Sequence, residues 1–316
     1  LVILFSATIS EKHRQSLVQK YPTLDFIFTS GIKEAEQHLE EATVFVTYGD
    51  DLDESTIEKA INLKWIMVLS AGVDQLPFKQ IEKRGILVTN SRGIHKTQMA
   101  EYTISMMLQV YRQEKTLYEN EKLSKWDKSV RMKEITAHTL LVLGTGDIGQ
   151  EVARLAKVFQ MNTVGLSRSG RPVEYFDEVY TIETIKQNLP KADFIVSVLP
   201  STAETKYFLS DEHFNLMKEE AVFINIGRGD LVKTETILQA VRDQQIAHAV
   251  LDVFEVEPLP EDSPLWTEPN ITVTPHISGQ SPNYMIRALT IFQENLDKYL
   301  NGENNYTNTV EPSRGY

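Results

Sequence analysis

At 316 residues, with 41% hydrophobic and 24% charged, the chain is long and apolar enough for about two domains with cores of their own, which excludes a peptide-sized fold and a disordered polymer. Thirty-two Lys and Arg against 44 Asp and Glu leave a net charge of −12, which repels phosphate backbones and anionic bilayers, so neither nucleic acid nor a membrane surface is an expected partner. Cysteine is absent, which removes disulfides, thiolate metal sites and cysteine nucleophiles together.

The opening run 1–5, Leu-Val-Ile-Leu-Phe, is too short for a signal-peptide core and has no basic flank, and no apolar run approaches a membrane span. It reads as a buried strand, and a cytoplasmic location is expected. The missing initiator methionine points to residues before Leu1. Further β-rich runs at 26–29, 44–48, 65–69 and 87–89 alternate with polar helix-like stretches, for which Ser10 and Asp53 offer N-caps. That alternation predicts a parallel sheet covered on both faces. Residues 99–117 carry one long helical period with Met106, Met107, Val110 and Tyr111 on an apolar side, a core or interface helix. A second alternating series follows, with strands over 139–143, 163–166, 194–199, 221–225, 248–253 and 271–274. After Pro282 one more helix is expected over 285–300, and the polar tail from Asn301 reads as a surface extension.

Gly144-Thr145-Gly146-Asp147-Ile148-Gly149 sits between the strand 139–143 and a helix-like stretch. In that context Gly144 makes the tight turn, Gly146 lets backbone approach a pyrophosphate and Gly149 lets helix and strand pack closely; an ordinary glycine turn is the alternative. Pro200 and the segment Asn225-Ile226-Gly227-Arg228-Gly229 likewise end strands, at the sheet edge where open α/β folds hold ligands.

Arg228, Glu257 in Asp252-Val-Phe-Glu-Val-Glu257-Pro, and His276 in Thr274-Pro-His lie past the ends of the late strands. Taken singly, a surface charge, a loop carboxylate and a satisfied loop histidine explain them as well; together on one ligand edge they resemble an active site. The other six histidines have no such company. Dinucleotide folds place an acid about 20 positions past the glycine loop to take the ribose hydroxyls of NAD. Here Ser167 stands 18 positions after Gly149 and opens Ser167-Arg168-Ser169-Gly170-Arg171. These hydroxyls and guanidinium groups suit a ribose phosphate, so NADP(H) is expected in preference to NAD(H), chiefly through Arg168; a solvated basic turn is the alternative.

The glycine loop, Asn-Ile-Gly-Arg-Gly, Asp-Val-Phe-Glu-x-Glu-Pro and Thr-Pro-His, in this order, resemble the D-isomer-specific 2-hydroxyacid dehydrogenase family over nearly the whole chain, in its glyoxylate/hydroxypyruvate reductase-like, NADP-type form. The resemblance implies an α/β fold of two doubly wound parallel-sheet domains. A Rossmann nucleotide domain (93–281) would be inserted into a flavodoxin-like substrate domain (1–92 and 282–316), with the active site in the cleft. It also implies a homodimer, with the helix from Met99 near the interface. Carried over by position, His276 is the proton donor, Glu257 its partner, and Arg228 the group that binds the substrate carboxylate and carbonyl. The segment Leu69-Ser-Ala71-Gly72-Val73-Asp74 is the substrate loop, with the amides near Ala71, Gly72 and Val73 on the carboxylate and Tyr48 as a shaping side chain. Leu199, Pro200, Thr205, Ile226 and Asp252 contact the cofactor. The stretch after His276 reads Ile-Ser-Gly-Gln-Ser, a departure from the commoner pattern with a threonine further on.

The implied reaction is hydride transfer between NAD(P)H and a small 2-oxo acid or its D-2-hydroxy acid. Arg228 polarises the ketone, and Glu257 favours the charged imidazolium of His276. A nucleotide-sensing binding protein of the same fold is the alternative from another class. Among enzymes, phosphoglycerate and formate dehydrogenases are the neighbouring possibilities; the length disfavours the large phosphoglycerate type with a regulatory C-terminal domain.

Overall fold

A computed structural model describes residues 1–73 and 75–311. The chain forms two compact units, Leu1–Ile94 with Ser281–Tyr316, and His95–Gln280, so the second is an insertion into the first.

The first unit holds five parallel strands, β1 Val2–Phe5, β2 Asp25–Phe28, β3 Val44–Thr47, β4 Trp65–Val68 and β5 Leu87–Asn90, in the order β2-β1-β3-β4-β5. Alternate side chains enter opposite layers, as the period of two in a strand requires. Ile3, Phe5, Val44, Val46, Trp65 and Met67 pack under the helices Glu11–Lys20 and Tyr284–Leu300, while Leu4, Phe45, Ile66, Val68 and Val88 pack under Ile32–Ala35, Glu54–Lys59 and Phe78–Arg84. Asp53 caps Glu54–Lys59, its carboxylate accepting from the Thr56 amide at 2.7 Å. Trp65 stacks on Phe292 with ring centroids 5.6 Å apart and donates its indole N–H to Thr89 at 2.8 Å, so the ring is buried and its polar atom satisfied.

The tail departs from the sequence expectation. The Val310 amide donates to the Val88 carbonyl at 2.9 Å, Thr309 bridges Thr89 in the antiparallel sense, and Val310 is buried. The cause is the open edge of β5, whose unpaired backbone groups take up the returning chain. Residues 312–316 lie outside the described residues.

The second unit has seven parallel strands: β6 Thr139–Leu143, β7 Asn162–Ser167, β8 Glu178–Thr181, β9 Phe194–Ser197, β10 Val222–Asn225, β11 His248–Leu251 and β12 Ile271–Val273. Their order is β12-β11-β10-β9-β6-β7-β8, the doubly wound order with one strand added at the edge. Leu140, Val142, Phe194, Val196 and Ile224 face the helices Lys96–Tyr111 and Asp147–Val158; Leu141, Leu143, Ile195, Phe223 and Leu251 face Asp211–Asn215 and Thr234–Arg242. Strand β8 was not anticipated, because Glu178-Val-Tyr-Thr has no apolar run and sits half-exposed at the sheet edge. The single helix expected over 99–117 is two, Lys96–Tyr111 and Glu114–Lys122, parted where Gln113 takes a left-handed φ of 58°. Its methionines belong to the unit's own core: Met107 is fully buried and Met99 and Met106 pack beside it. Among the described residues no helix is long and apolar enough to cross a membrane.

Candidate active site

Strand register sets the geometry of the second unit. Leu166, Leu143, Ser197, Asn225, Leu251 and Val273 are successive cross-strand partners in one row, so every segment singled out in this unit leaves the sheet along a common carboxyl edge. The order reverses between β6 and β9, the switch point beside which doubly wound sheets hold ligands. Gly144 leaves β6 with φ +106°, and a Cβ on it would sit 2.9 Å from the Val198 side chain. On Gly149 a Cβ would fall 1.9 Å from the Gly144 carbonyl oxygen, so the helix can begin this close to the strand only without a side chain. A Cβ on Gly146 would meet nothing within 4 Å: backbone faces open space at the first turn of Asp147–Val158, a helix of twelve residues whose N–H groups and dipole favour an anion. This is the shape a pyrophosphate needs, so the residues present fit a dinucleotide. Asp147 is exposed and Thr145 and Ile148 half-buried beside it.

The neighbouring loops complete this edge. The Leu199 carbonyl would be 2.6 Å from a Cβ on Gly227, so the loops after β9 and β10 touch through backbone. Thr205 turns its hydroxyl inward to the Pro200 carbonyl at 2.6 Å, and Ile226 is buried; both shape the loops from within. Beyond β7, Ser167 Oγ accepts from the Gly170 amide at 3.2 Å, while Arg168, Ser169 and Arg171 are exposed. The Arg168 charge is felt at Glu204, whose carboxyl is held below its ordinary range mainly by the Thr202 hydroxyl and backbone, with Arg168 adding to it.

Farther along the edge, His276 Nδ1 lies 2.7 Å from Glu257 Oε2, and the other oxygen of Glu257 accepts from the Phe254 amide at 3.0 Å. The carboxylate is thus anchored at one end and orients the imidazole with the other, which leaves Nε2 as the ring nitrogen for a substrate. Arg228 is exposed, and its guanidinium donates to the Gly227 carbonyl at 2.9 Å; the Asn225 side chain ties the turn by donating to the Arg228 carbonyl at 2.9 Å. Gly229 packs on Phe254, where a Cβ would be 1.9 Å from its carbonyl carbon. The Arg228 and Glu257 loops are therefore in backbone contact.

Asp252 directly follows β11. It is fully buried, and its carboxylate accepts from the Thr274 hydroxyl at 2.6 Å and from the Ile277 and Ser278 amides at 2.9 Å each. Its side chain builds the turn that carries His276. Sequence reading missed Thr274 in this role, and Tyr102, whose hydroxyl is 2.6 Å from Thr274 Oγ1.

In the first unit, Tyr48 follows β3 half-buried and donates to the Thr8 carbonyl at 3.1 Å; burial raises its pKa, with Asp50 adding to the rise. In the loop after β4 the carbonyls of Ala71 and Gly72 accept from Asn90 and Ser70 at 2.8 Å each, and that of Val73 from the Leu76 amide at 3.1 Å. With its carbonyls so used, the loop has a fixed backbone course. Asp74 lies outside the described residues.

Comparison with known proteins gives similarities of three kinds. The model of the family described as D-isomer specific 2-hydroxyacid dehydrogenase, NAD binding domain, matches residues 104–278. A D-3-phosphoglycerate dehydrogenase of Methanocaldococcus jannaschii is 34% identical over 276 residues, 86% of this chain and 52% of the relative, so the chain spans about half the length of that protein. Two solved structures share the whole architecture. A D-isomer specific 2-hydroxyacid dehydrogenase family protein from Aeromonas salmonicida subsp. salmonicida A449 has 34% identity and a TM-score of 0.86, over 98% of this chain and 99% of that one. A D-isomer specific 2-hydroxyacid dehydrogenase from Xanthobacter autotrophicus Py2, in complex with NADPH and MES, has 28% identity and a TM-score of 0.82, over 100% and 99%.

Proposed function

Because the chain belongs to the D-isomer specific 2-hydroxyacid dehydrogenase family, we propose that it is an NAD(P)-dependent oxidoreductase of 2-hydroxy acids, that it reduces a small 2-oxo acid with NADPH and that His276 is the proton donor. The observation that carries this reading is the 2.7 Å contact of His276 with Glu257 on the carboxyl edge of the sheet that also bears the glycine loop.

Gly144 to Gly149 would hold the pyrophosphate, and Leu199, Pro200, Thr205 and Ile226 would wall the nucleotide's site. The bound nicotinamide supplies hydride to the carbonyl carbon. Arg228 offers a planar fork of donors to the substrate carboxylate and draws electron density from the adjacent ketone oxygen. The amides of Ala71, Gly72 and Val73 are assigned to the carboxylate as well, and Tyr48 to the outline of the substrate pocket. As the carbon gains hydride, Nε2 of His276 gives its proton to the oxygen, which closes the balance at a neutral 2-hydroxyl group, while Glu257 holds the ring in place at Nδ1. Loss of NADPH absorbance with glyoxylate, hydroxypyruvate, pyruvate or a bulkier 2-oxo acid is the expected result. No turnover with any of them overturns the reading.

The preference for NADPH over NADH rests on Ser167, Arg168, Ser169 and Arg171 standing where an acid would bind ribose hydroxyls; it agrees with the NADPH held by the Xanthobacter protein. A homodimer is part of the same reading. The outer side of Lys96–Tyr111 lines a 420 Å³ hollow with Ile104, Leu108 and Leu155, and Leu123 and Trp126 beyond it are exposed. Light scattering at micromolar concentration should give the mass of two chains, and a monomer contradicts it.

A further inference from the structure

We propose that Tyr102 is a positioning residue for the proton donor: through Thr274 and Asp252, its hydroxyl fixes the turn that presents His276. The inference rests on the reading of His276 given above. Thr274 Oγ1 lies 2.6 Å from an oxygen of Asp252 and 2.6 Å from the Tyr102 hydroxyl. A threonine has one hydroxyl proton, and Asp252 takes it. Tyr102 is therefore the donor to Thr274, and the chain runs one way, from tyrosine to threonine to carboxylate.

The Asp252 end of this chain brackets His276. The Ile277 and Ser278 amides both donate to its carboxylate at 2.9 Å, and the His276 amide donates to its backbone carbonyl at 2.9 Å. Between these bonds His276 has φ 52°, a left-handed conformation that is uncommon for a residue other than glycine and that these bonds help to hold. Tyr102 projects from Lys96–Tyr111, a helix packed into the core of the unit, so it ties the turn to a rigid element. A tyrosine hydroxyl is protonated at neutral pH and can donate, and burial raises the pKa of this one further, to about 12. With the hydroxyl gone, the ring still fills its place but the turn can shift by a fraction of an ångström, which proton transfer feels and nucleotide binding does not.

Tyr102→Phe, Thr274→Val and Thr274→Ser test this. Tyr102→Phe and Thr274→Val should each lower kcat for the 2-oxo acid by about tenfold, with the NADPH Kd kept within about twofold and a larger solvent deuterium isotope effect on kcat. Thr274→Ser keeps the hydroxyl and should retain the wild-type rate. Amide exchange at Ile277 and Ser278 should be faster in Tyr102→Phe, a readout that needs no turnover. A Tyr102→Phe enzyme with wild-type kcat, or one whose loss of rate tracks an equal loss of NADPH affinity, overturns the proposal. A wild-type protein inert toward every 2-oxo acid would overturn the functional reading instead, and unchanged exchange at the two amides would then overturn the positioning role separately.

Discussion

The second and third glycines of the loop after β6 do opposite work, and substitution separates them. A Cβ on Gly149 collides with the Gly144 carbonyl at 1.9 Å, whereas one on Gly146 meets open space. Gly149→Ala should therefore lose about 1–3 kcal/mol or more of unfolding free energy, as an overpacked backbone contact does. Gly146→Ala should melt like the wild type and weaken nucleotide binding. Equal melting temperatures for the two variants would refute the assignment. At this scale the sequence was most legible where a polar residue follows a strand end by a few positions, as Arg228 and His276 do; the register of parallel strands then brings them to one edge without further information. Tyr102 and Thr274 were illegible because they are 172 positions apart and meet only through the packing of a helix on the sheet. That Asp252 also braces the turn before His276 was illegible in the sequence, because its partners Thr274, Ile277 and Ser278 come from the next strand and loop.

Among the elements, the turn after β7 carries the clearest consequence. Arg168 is exposed there, beside two serines and a second arginine. Arg168→Ala should lower kcat/KM for NADPH by about tenfold and leave NADH nearly unchanged, the scale of losing one charge-assisted contact to phosphate. An unchanged NADPH to NADH ratio would count against it. Strands with apolar runs, such as β4 and β9, were readable because central parallel strands are buried on both faces. Strand β8 lacked that signal, being at the edge. The break after Tyr111 had no glycine or proline to mark it; the apolar period simply ends there, and only the left-handed Gln113 shows the turn. The tail read as surface since its one buried anchor, Val310, stands alone among polar residues.

For the molecule as a whole, β11 contributes a pH dependence to stability. His248 is half-buried, with Nε2 2.9 Å from the Thr272 hydroxyl; desolvation, with the nearby Lys115 charge, lowers its pKa from 6.5 to about 4. The unfolded chain binds this proton more readily than the folded one, so the contribution is complete above pH 6.5 and is lost as pH falls toward 4. Its ceiling is about 3 kcal/mol. Chemical denaturation from pH 7.5 to 4 should show a shallower decline for His248→Gln than for the wild type, and parallel curves would contradict it.

Alternating strand and helix made both sheets readable as wholes, because that pattern has few solutions. How the chemistry is shared among residues needed the hydrogen bonds. The claim on which the functional reading depends is that His276 gives the proton, and it is tested most directly by kcat/KM for the best 2-oxo acid with NADPH, in the wild type and in His276→Ala, alongside the NADPH Kd of each. A fall of about 10²–10⁴ in kcat/KM with the Kd kept within about threefold is expected; a His276→Ala enzyme that retains the wild-type kcat/KM would contradict it.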